Sequence, residues 1–290
     1  MRYRPAAGQM DAVRPSISAG PRGPRLAVTT VLTGLLLTLS TPAALPLADP
    51  VTPERGSAFM GMGVLAHDGG NASSDDTPAA RTTQTEGVDV SSHQRDVDWP
   101  ALWDGGARWA YTKATEGTSY TNPYFTQQYN GSYDTGMIRG AYHFATPDTG
   151  GGTAQADYFV DHGGGWSKDG RTLPGVLDIE WNPYGDACYD KSPSAMVGWI
   201  RDFLTRYKAR TGRDAVIYTA TAWWTQCTGG YSGFGAKNPL WIARYAATPG
   251  PLPAGWTSYT MWQYTSTGKT VGDHDRFNGT RTQLGDFATG

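Results

Sequence analysis

The chain has 290 residues and carries 24 Lys and Arg against 26 Asp and Glu, a formal net charge of −2, so it lacks the basic surface that nucleic acid requires. Only 17% of residues are charged, which excludes a strongly charged disordered chain. Two cysteines exclude a Cys-rich scaffold and an ordinary Cys-based zinc site. Five scattered His residues without an HExxH pair exclude the usual metal-hydrolase pattern, and neither metal nor cofactor is expected. Eleven Trp, 16 Tyr and 8 Phe imply either a Trp-rich core or rings that stack on flat ligands such as sugars.

The chain opens with Arg4, Arg14, Arg22 and Arg25, then an apolar run from Leu26 to Leu39, then small residues and prolines. This order predicts a secretory signal peptide over 1–48, with its exit near Ala44 or Ala48. The run is too short to span a bilayer comfortably and is followed by Pro42 and Pro46. No other stretch approaches membrane length, so an exported, extracellular protein without a membrane partner is expected. Residues 49–85 mix Gly, Ser, Thr, Asp and Pro without a sustained period and read as a mobile linker or pro-segment. Within them, Ala58 to Ala66 is apolar enough to dock.

From Glu86 the pattern is regular, and 86–290 read as one catalytic domain. Apolar runs GVDVSS (87–92), WAYTKATEG (109–117), IRGAYHFA (138–145), PGVLDIEW (174–181) and DAVIYTA (214–220) alternate with helix-like stretches. The stretch 192–212 is the strongest helix: Ser192 caps it, Pro193 suits its first position, and Gly212 stops it. Met196, Ile200, Phe203, Leu204 and Tyr207 share one face. The last third offers PLWIARY (239–245), YTMWQYTS (259–266) and a short element near Val271 to Asp275 as strands, without good helices between them. Five βα units followed by three strands predict an α/β, TIM-like barrel with an incomplete helical jacket. An open doubly wound sheet is the alternative, but no Gly-rich phosphate loop follows the first strand.

Carboxylates interrupt these apolar strands at what are predicted to be their C-terminal ends: Asp89 in GVDVSS, Asp178 and Glu180 in VLDIEW, Asp273 and Asp275 in GDHDRF. A carboxylate inside an apolar strand is costly unless it serves a site or is paired. Period-two spacing puts Asp178 and Glu180 on one face. Two close carboxylates raise one pKa, creating the proton donor that cleavage of a glycosidic bond needs. The structural reading is a buried ion-pair network with Lys113, Arg139 or Arg244. Lys113 and Glu116 read as a structural pair, and His143 as a satisfied core histidine.

The segments GVDVSSHQ, YTKATEG, GAYHFA, LDIEW, VIYTA, LWIARY, MWQYTS and DHDRFNG, in order from about Glu86 to Phe287, resemble glycoside hydrolase family 25, the N-acetylmuramidases of the Chalaropsis type. They are similar in particular to secreted actinobacterial lysozymes. The resemblance implies a (β/α)5(β)3 barrel and hydrolysis of the β-1,4 bond between N-acetylmuramic acid and N-acetylglucosamine in peptidoglycan. By the same resemblance Glu180 is the general acid, and Asp89, Asp178 and Asp273 are the accompanying catalytic aspartates. Asp275 stands where the family commonly has Asn, leaving open which of Asp273 and Asp275 points inward. Tyr142, Tyr218, Trp262 and Gln263, at predicted strand ends, are the expected substrate-side groups.

A chitinase or endo-N-acetylglucosaminidase of the family 18 kind also ends a strand in D-x-E. Its longer pattern needs acidic positions where this chain has Leu173, Pro174 and Gly175. A non-catalytic, wall-binding barrel would be marked by loss of the acid, yet Glu180 is present. No separate wall-binding repeat is visible, and a monomer acting on glycan strands is expected. Cys188 and Cys227 follow neighbouring strands and are expected to form a disulfide in an exported protein. Residues 49–85 hold no candidate site residue, so a chain starting near Thr85 is expected to keep near-normal activity.

Overall fold

The computed structural model describes residues 52–67 and 83–290, all within one unit spanning Asp49–Gly290. The expected signal peptide at 1–48 and its exit lie outside the described residues. After a short helix α1 (Met62–His67), five βα units run in order. They are β1 (Thr85–Val90) with α2 (Trp99–Asp104), β2 (Trp109–Glu116) with α3 (Phe125–Thr135), and β4 (Ile138–Phe144) with α4 (Gly152–Phe159). Then come β5 (Val176–Asp178) with α5 (Pro193–Thr211) and β6 (Val216–Thr219) with α6 (Thr221–Thr228). Three strands follow, β7 (Leu240–Ala243), β8 (Met261–Thr265) and β9 (Asp273–Phe277), and a final helix α7 (Arg281–Thr289). The two-residue β3 (Tyr120–Thr121) extends the sheet beside β2.

The pairs β1–β2, β2–β4, β4–β5, β5–β6, β6–β7 and β7–β8 are parallel, β9 is antiparallel to both β8 and β1, and β3 is antiparallel to β2. Among the described residues, eight strands therefore close into a barrel with the incomplete jacket expected. The reversed β9 corrects one reading. Asp273 and Asp275 begin their strand rather than end one. They reach the same rim as the C-terminal ends of the other strands because β9 runs the opposite way, with Asp273 beside Asp89 and Asp275 beside Gly87.

Alternation along the strands turns Gly87, Trp109, Tyr111, Gly140 and Trp241 to the interior of the barrel. Trp109, Tyr111 and Trp241 meet at ring-centroid distances of 5.0 to 6.1 Å. They fit because two inward positions carry no side chain. A Cβ at Gly87 would stand 2.2 Å from the Trp109 ring, and one at Gly140 would stand 2.2 Å from the Tyr111 ring. The rings' polar atoms are satisfied by backbone, Trp109 Nε1 donating to Thr85 O and Tyr111 Oη to Pro174 O. This aromatic floor closes the barrel beneath the polar rim.

The jacket follows the local rules of its sequence. The Ser192 side chain accepts from Ala195 N, Pro193 opens α5, and Gly212 ends it at φ 77°. Met196, Ile200, Phe203, Leu204 and Tyr207 all turn into the core. The helix α7 was not legible. It buries only Leu284 and Ala288, too few to show a period, and rests on a capping box between Thr280 and Gln283.

Cys188, in the loop after β5, and Cys227, in α6, are disulfide-bonded with their α-carbons 5.3 Å apart and a separation of 39 in sequence. A loop of that length makes the bond worth about 3–4 kcal/mol. Replacing both cysteines by Ala is expected to lower the unfolding free energy by that amount in urea titrations. An unchanged unfolding midpoint would show that the bond does not stabilise the barrel.

Candidate active site

All five candidate carboxylates converge on the rim, and all are buried. Asp89 ends the inward row of β1, and Asp178 closes β5 with Glu180 two residues beyond. Asp273 and Asp275 both face inward, being two apart on β9, with Asp275 the deeper of the pair and Asp273 at the rim. The expected choice between them is thus resolved as both.

Gln263 ties this group together. Its Nε2 donates to Asp89 Oδ2 at 2.7 Å and to Asp273 Oδ2 at 3.2 Å. Its Oε1 accepts from Tyr218 Oη at 2.7 Å and Tyr245 Oη at 3.0 Å, which fixes the orientation of the amide. Trp241 Nε1 donates to Asp275 Oδ1 at 3.2 Å. Among the described residues neither oxygen of Asp178 meets a hydrogen-bond donor. Nor are any three His, Cys, Asp or Glu side chains among them placed to share a metal ion.

Burial is the leading influence on the acids. It raises Asp89 to about 7, with the Gln263 hydrogen bond pulling the other way. Burial, then the neighbouring Glu180 charge, raises Asp178 well above the usual carboxylate range, and Lys113 opposes. Asp273 and Asp275 are raised well above it as well, first by burial and then by Asp89. The same burial pushes the hydroxyls of Tyr142, Tyr218 and Tyr245 up, so they stay neutral donors.

The ion-pair reading of these acids is not what the barrel builds. Lys113 pairs with Glu116 at 2.6 Å, the structural pair expected, and Arg139 lies 3.9 Å from Asp169. His143 is fully buried. Its Nε2 lies 2.9 Å from Gln155 Oε1 and its Nδ1 2.8 Å from Thr115 Oγ1, and burial depresses it to about 4. It is a satisfied core histidine.

Tyr142, Tyr218 and Gln263 line the interior, as their strand positions require. Trp262 does not join them. It neighbours Gln263 on β8 and so faces the other way, donating from Nε1 to Arg244 O and packing against Tyr259 and Tyr264. Two neighbours on one strand cannot both point into a barrel, so only Gln263 qualifies. Tyr245 instead reaches the interior group, its hydroxyl bonded to Gln263. Its place just past β7, in LWIARY, was the available signal. Tyr184 was also missed, and its hydroxyl donates to Glu116 Oε1 at 2.6 Å.

Residues 52–67 belong to the stretch expected as a mobile linker or pro-segment without site residues, with Ala58 to Ala66 apolar enough to dock. They lie across the rim instead. Gly61 N donates to Glu180 Oε1 at 2.6 Å and Gly63 N to Glu180 Oε2 at 3.0 Å. Met60 is fully buried and its carbonyl accepts from Gln263 Nε2 at 3.3 Å.

An eight-stranded barrel with carboxylates gathered at the end where its parallel strands finish is the framework of many glycoside hydrolases. The profile of glycosyl hydrolases family 25 matches residues 88–273. Lysozyme M1 of Streptomyces globisporus is 46% identical over 281 residues, covering 92% of this chain and 96% of that one. An N,O-diacetylmuramidase of Chalaropsis sp is 48% identical over 209 residues, 71% of this chain and 99% of that one. Among solved structures, a muramidase from Acremonium alcalophilum superposes with a TM-score of 0.70 at 52% identity, covering 71% of this chain and 99% of that one. A lysozyme from Streptomyces coelicolor gives 0.69 at 48%, covering 72% and 99%. The chain belongs to glycosyl hydrolases family 25. It is a glycoside hydrolase of the lysozyme kind, and the family 18 alternative falls away.

The raised carboxylates predict a pH dependence of stability. With Asp89 at about 7 when folded against 3.8 ordinarily, the folded state holds the proton more tightly than the unfolded state. That contribution is complete below pH 4 and is lost as pH rises to about 7, on the order of 4 kcal/mol at 1.36 kcal/mol per unit. The protein should therefore be less stable to urea at pH 8 than at pH 5, and Asp89→Asn should narrow the difference. An unchanged difference in the variant would show that Asp89 is not the group responsible.

Proposed function

We propose that this chain is a secreted muramidase. It hydrolyses the β-1,4 bond between N-acetylmuramic acid and N-acetylglucosamine in peptidoglycan, with Glu180 as the acid and the substrate's own acetamido oxygen as the nucleophile. The observation that carries the mechanism is Asp178. It is fully buried beside the acid, and both its oxygens lack donors among the described residues. An acetamido N–H from the sugar would supply one.

Glu180 gives its proton to the glycosidic oxygen as the bond to the anomeric carbon breaks. The acetamido carbonyl oxygen closes on that carbon from the other face, and Asp178 holds the N–H and balances the charge that develops there. Water then opens the cyclic intermediate, with the Glu180 carboxylate taking its proton. Asp178 ends β5 and Glu180 lies two residues beyond it, which makes Asp178 a neighbour of the acid rather than a group across the sugar ring. Asp89 and Asp273, held by Gln263, face the positive charge of the transition state. Tyr142 and Tyr218 offer hydroxyls to the substrate. Export rests on the sequence of residues 1–48 and agrees with a disulfide, which oxidising compartments favour. Among the described residues no helix is long and apolar enough to cross a membrane.

Glu180→Gln, assayed on residues 83–290, should lower the rate on cell walls by about 10²–10⁴ or more. Asp178→Asn should lose most activity while keeping its circular dichroism and melting temperature. Proton NMR of the first product formed should show the β-anomer. An initial α-anomer would mean inversion and would overturn acetamido participation.

A further inference from the structure

Residues 52–67 reach the site almost wholly through their backbone. Besides the two amides on Glu180, Gly56 N donates to Glu116 Oε1 at 2.8 Å and Ala58 N to Tyr184 Oη at 3.1 Å. The carbonyls of Gly56 and Ala58 accept from Lys113 Nζ, and Ser57 O lies 2.6 Å from His93 Nε2. Ala58, Met60 and Val64 are buried to within 1%. His67 stacks on Trp181, the residue after the acid, with ring centroids 4.2 Å apart. Clefts flank the segment at both ends, one lined by Arg55, Gly56 and Glu116, the other by Val64, Arg244 and Tyr245.

We propose that residues 52–67 are an intramolecular inhibitor, so that the chain is made as a self-blocked precursor whose own backbone fills the glycan cleft and engages both oxygens of Glu180. The proposal rests on the muramidase reading of the site. Its chemistry is mimicry of one amide by another. The groups offered to an acetamido sugar are neutral hydroxyls, a side-chain amide and carboxylates, and these bind peptide N–H and C=O equally well.

A merely structural arm would be expected to add a strand or cover an outer face. This one pairs with no barrel strand and contacts Glu180, Gln263, Tyr142 and Tyr245. Its approach also needs glycine at two positions. At Gly61, where φ is +84°, a Cβ would stand 2.0 Å from Tyr245 Oη and 2.5 Å from Gln263 Oε1. At Gly63 a Cβ would stand 2.4 Å from Trp181 Cβ and 2.9 Å from Glu180 Oε2.

Solved relatives of the barrel's size stand without a matched counterpart of the segment. The Acremonium and S. coelicolor structures are matched over 99% of their length by only 71–72% of this chain. That share is about 206–209 residues, the size of 83–290. The match to lysozyme M1 covers 92% of this chain, about 267 residues, so roughly 60 of those matched precede Thr83. The likeness to that relative therefore extends ahead of the barrel.

Residues 68–82 connect the docked segment to β1. A tether of that length holds it at an effective concentration on the order of millimolar. A segment that binds at ~10 μM when free would then block about 99% of molecules when tethered. Breaking the chain anywhere between His67 and Thr83 turns the plug into a peptide that can leave.

The test compares residues 49–290, residues 83–290, and 49–290 carrying both Gly61→Val and Gly63→Val. The rate of muropeptide release should be on the order of 10²-fold lower for 49–290 than for 83–290. The double variant should recover most of the difference, since neither glycine belongs to the catalytic machinery. A synthetic peptide of residues 52–67 should raise KM for 83–290 and leave kcat unchanged. Equal rates for 49–290 and 83–290 overturn the inference. So does a double variant no faster than its parent, even if 83–290 should fail to fold. Peptide binding read by tryptophan fluorescence separates the two readings. A folded 83–290 that binds the peptide in competition with a chitooligosaccharide, yet releases nothing from walls, overturns muramidase activity and supports blockade of the cleft.

Discussion

The structure turns on keeping five carboxylates dry at one end of a barrel. Burial is the leading cause of the raised values of Asp89, Asp178, Asp273 and Asp275, so the cluster favours unfolding as pH rises and needs compensation. Gln263 provides part of it, because one amide donates to two acids while two tyrosines hold its other end. The aromatic floor provides the rest by closing the barrel from below, and it depends on Gly87 and Gly140 leaving room for rings. Cluster, hub and floor are one device: a polar rim kept at low dielectric by the packing under it. In such a setting a carboxyl group can keep a proton near neutral pH, as acid catalysis requires.

Much of this was legible from the residues. The alternation of apolar runs and amphipathic stretches marked five βα units and three closing strands, and Ser192, Pro193 and Gly212 marked the longest helix to within a residue. Asp178 and Glu180 stood out because acids two apart in an apolar strand have no cheap structural explanation. The direction of β9 was not legible, since alternation is the same for a parallel and an antiparallel strand. Trp262 was misplaced because a ring near a strand end looks like a sugar platform until its neighbour Gln263 is seen to occupy the inward position. Helix α7 was not visible, and of the docking of residues 52–67 only the apolar run Ala58 to Ala66 gave a sign, for a shared reason. Both depend on caps or backbone contacts made in the folded molecule rather than on a hydrophobic period.

That a polar rim should hold a peptide backbone follows from its chemistry. Acetamido sugars and peptides present the same amide to a binding site, and hydroxyls at the mouth of this barrel stay neutral donors because burial raises them. Lys113 and Glu116 illustrate how one arrangement serves two purposes. Their pairing at 2.6 Å satisfies two buried charges, and each still has capacity to bind a backbone group at the rim. Fold stability, substrate reading and the docked segment thus draw on the same few side chains.

The claim beneath all of this is that the barrel holds protonated carboxyl groups near neutral pH. An infrared titration of residues 49–290 measures it directly through the carbonyl stretch of protonated acids. The account predicts that this band persists above pH 6, that part of it titrates near 7, and that Asp89→Asn removes that part. A band lost entirely in the ordinary carboxylate range near pH 4, with nothing left to titrate above it, would contradict the account.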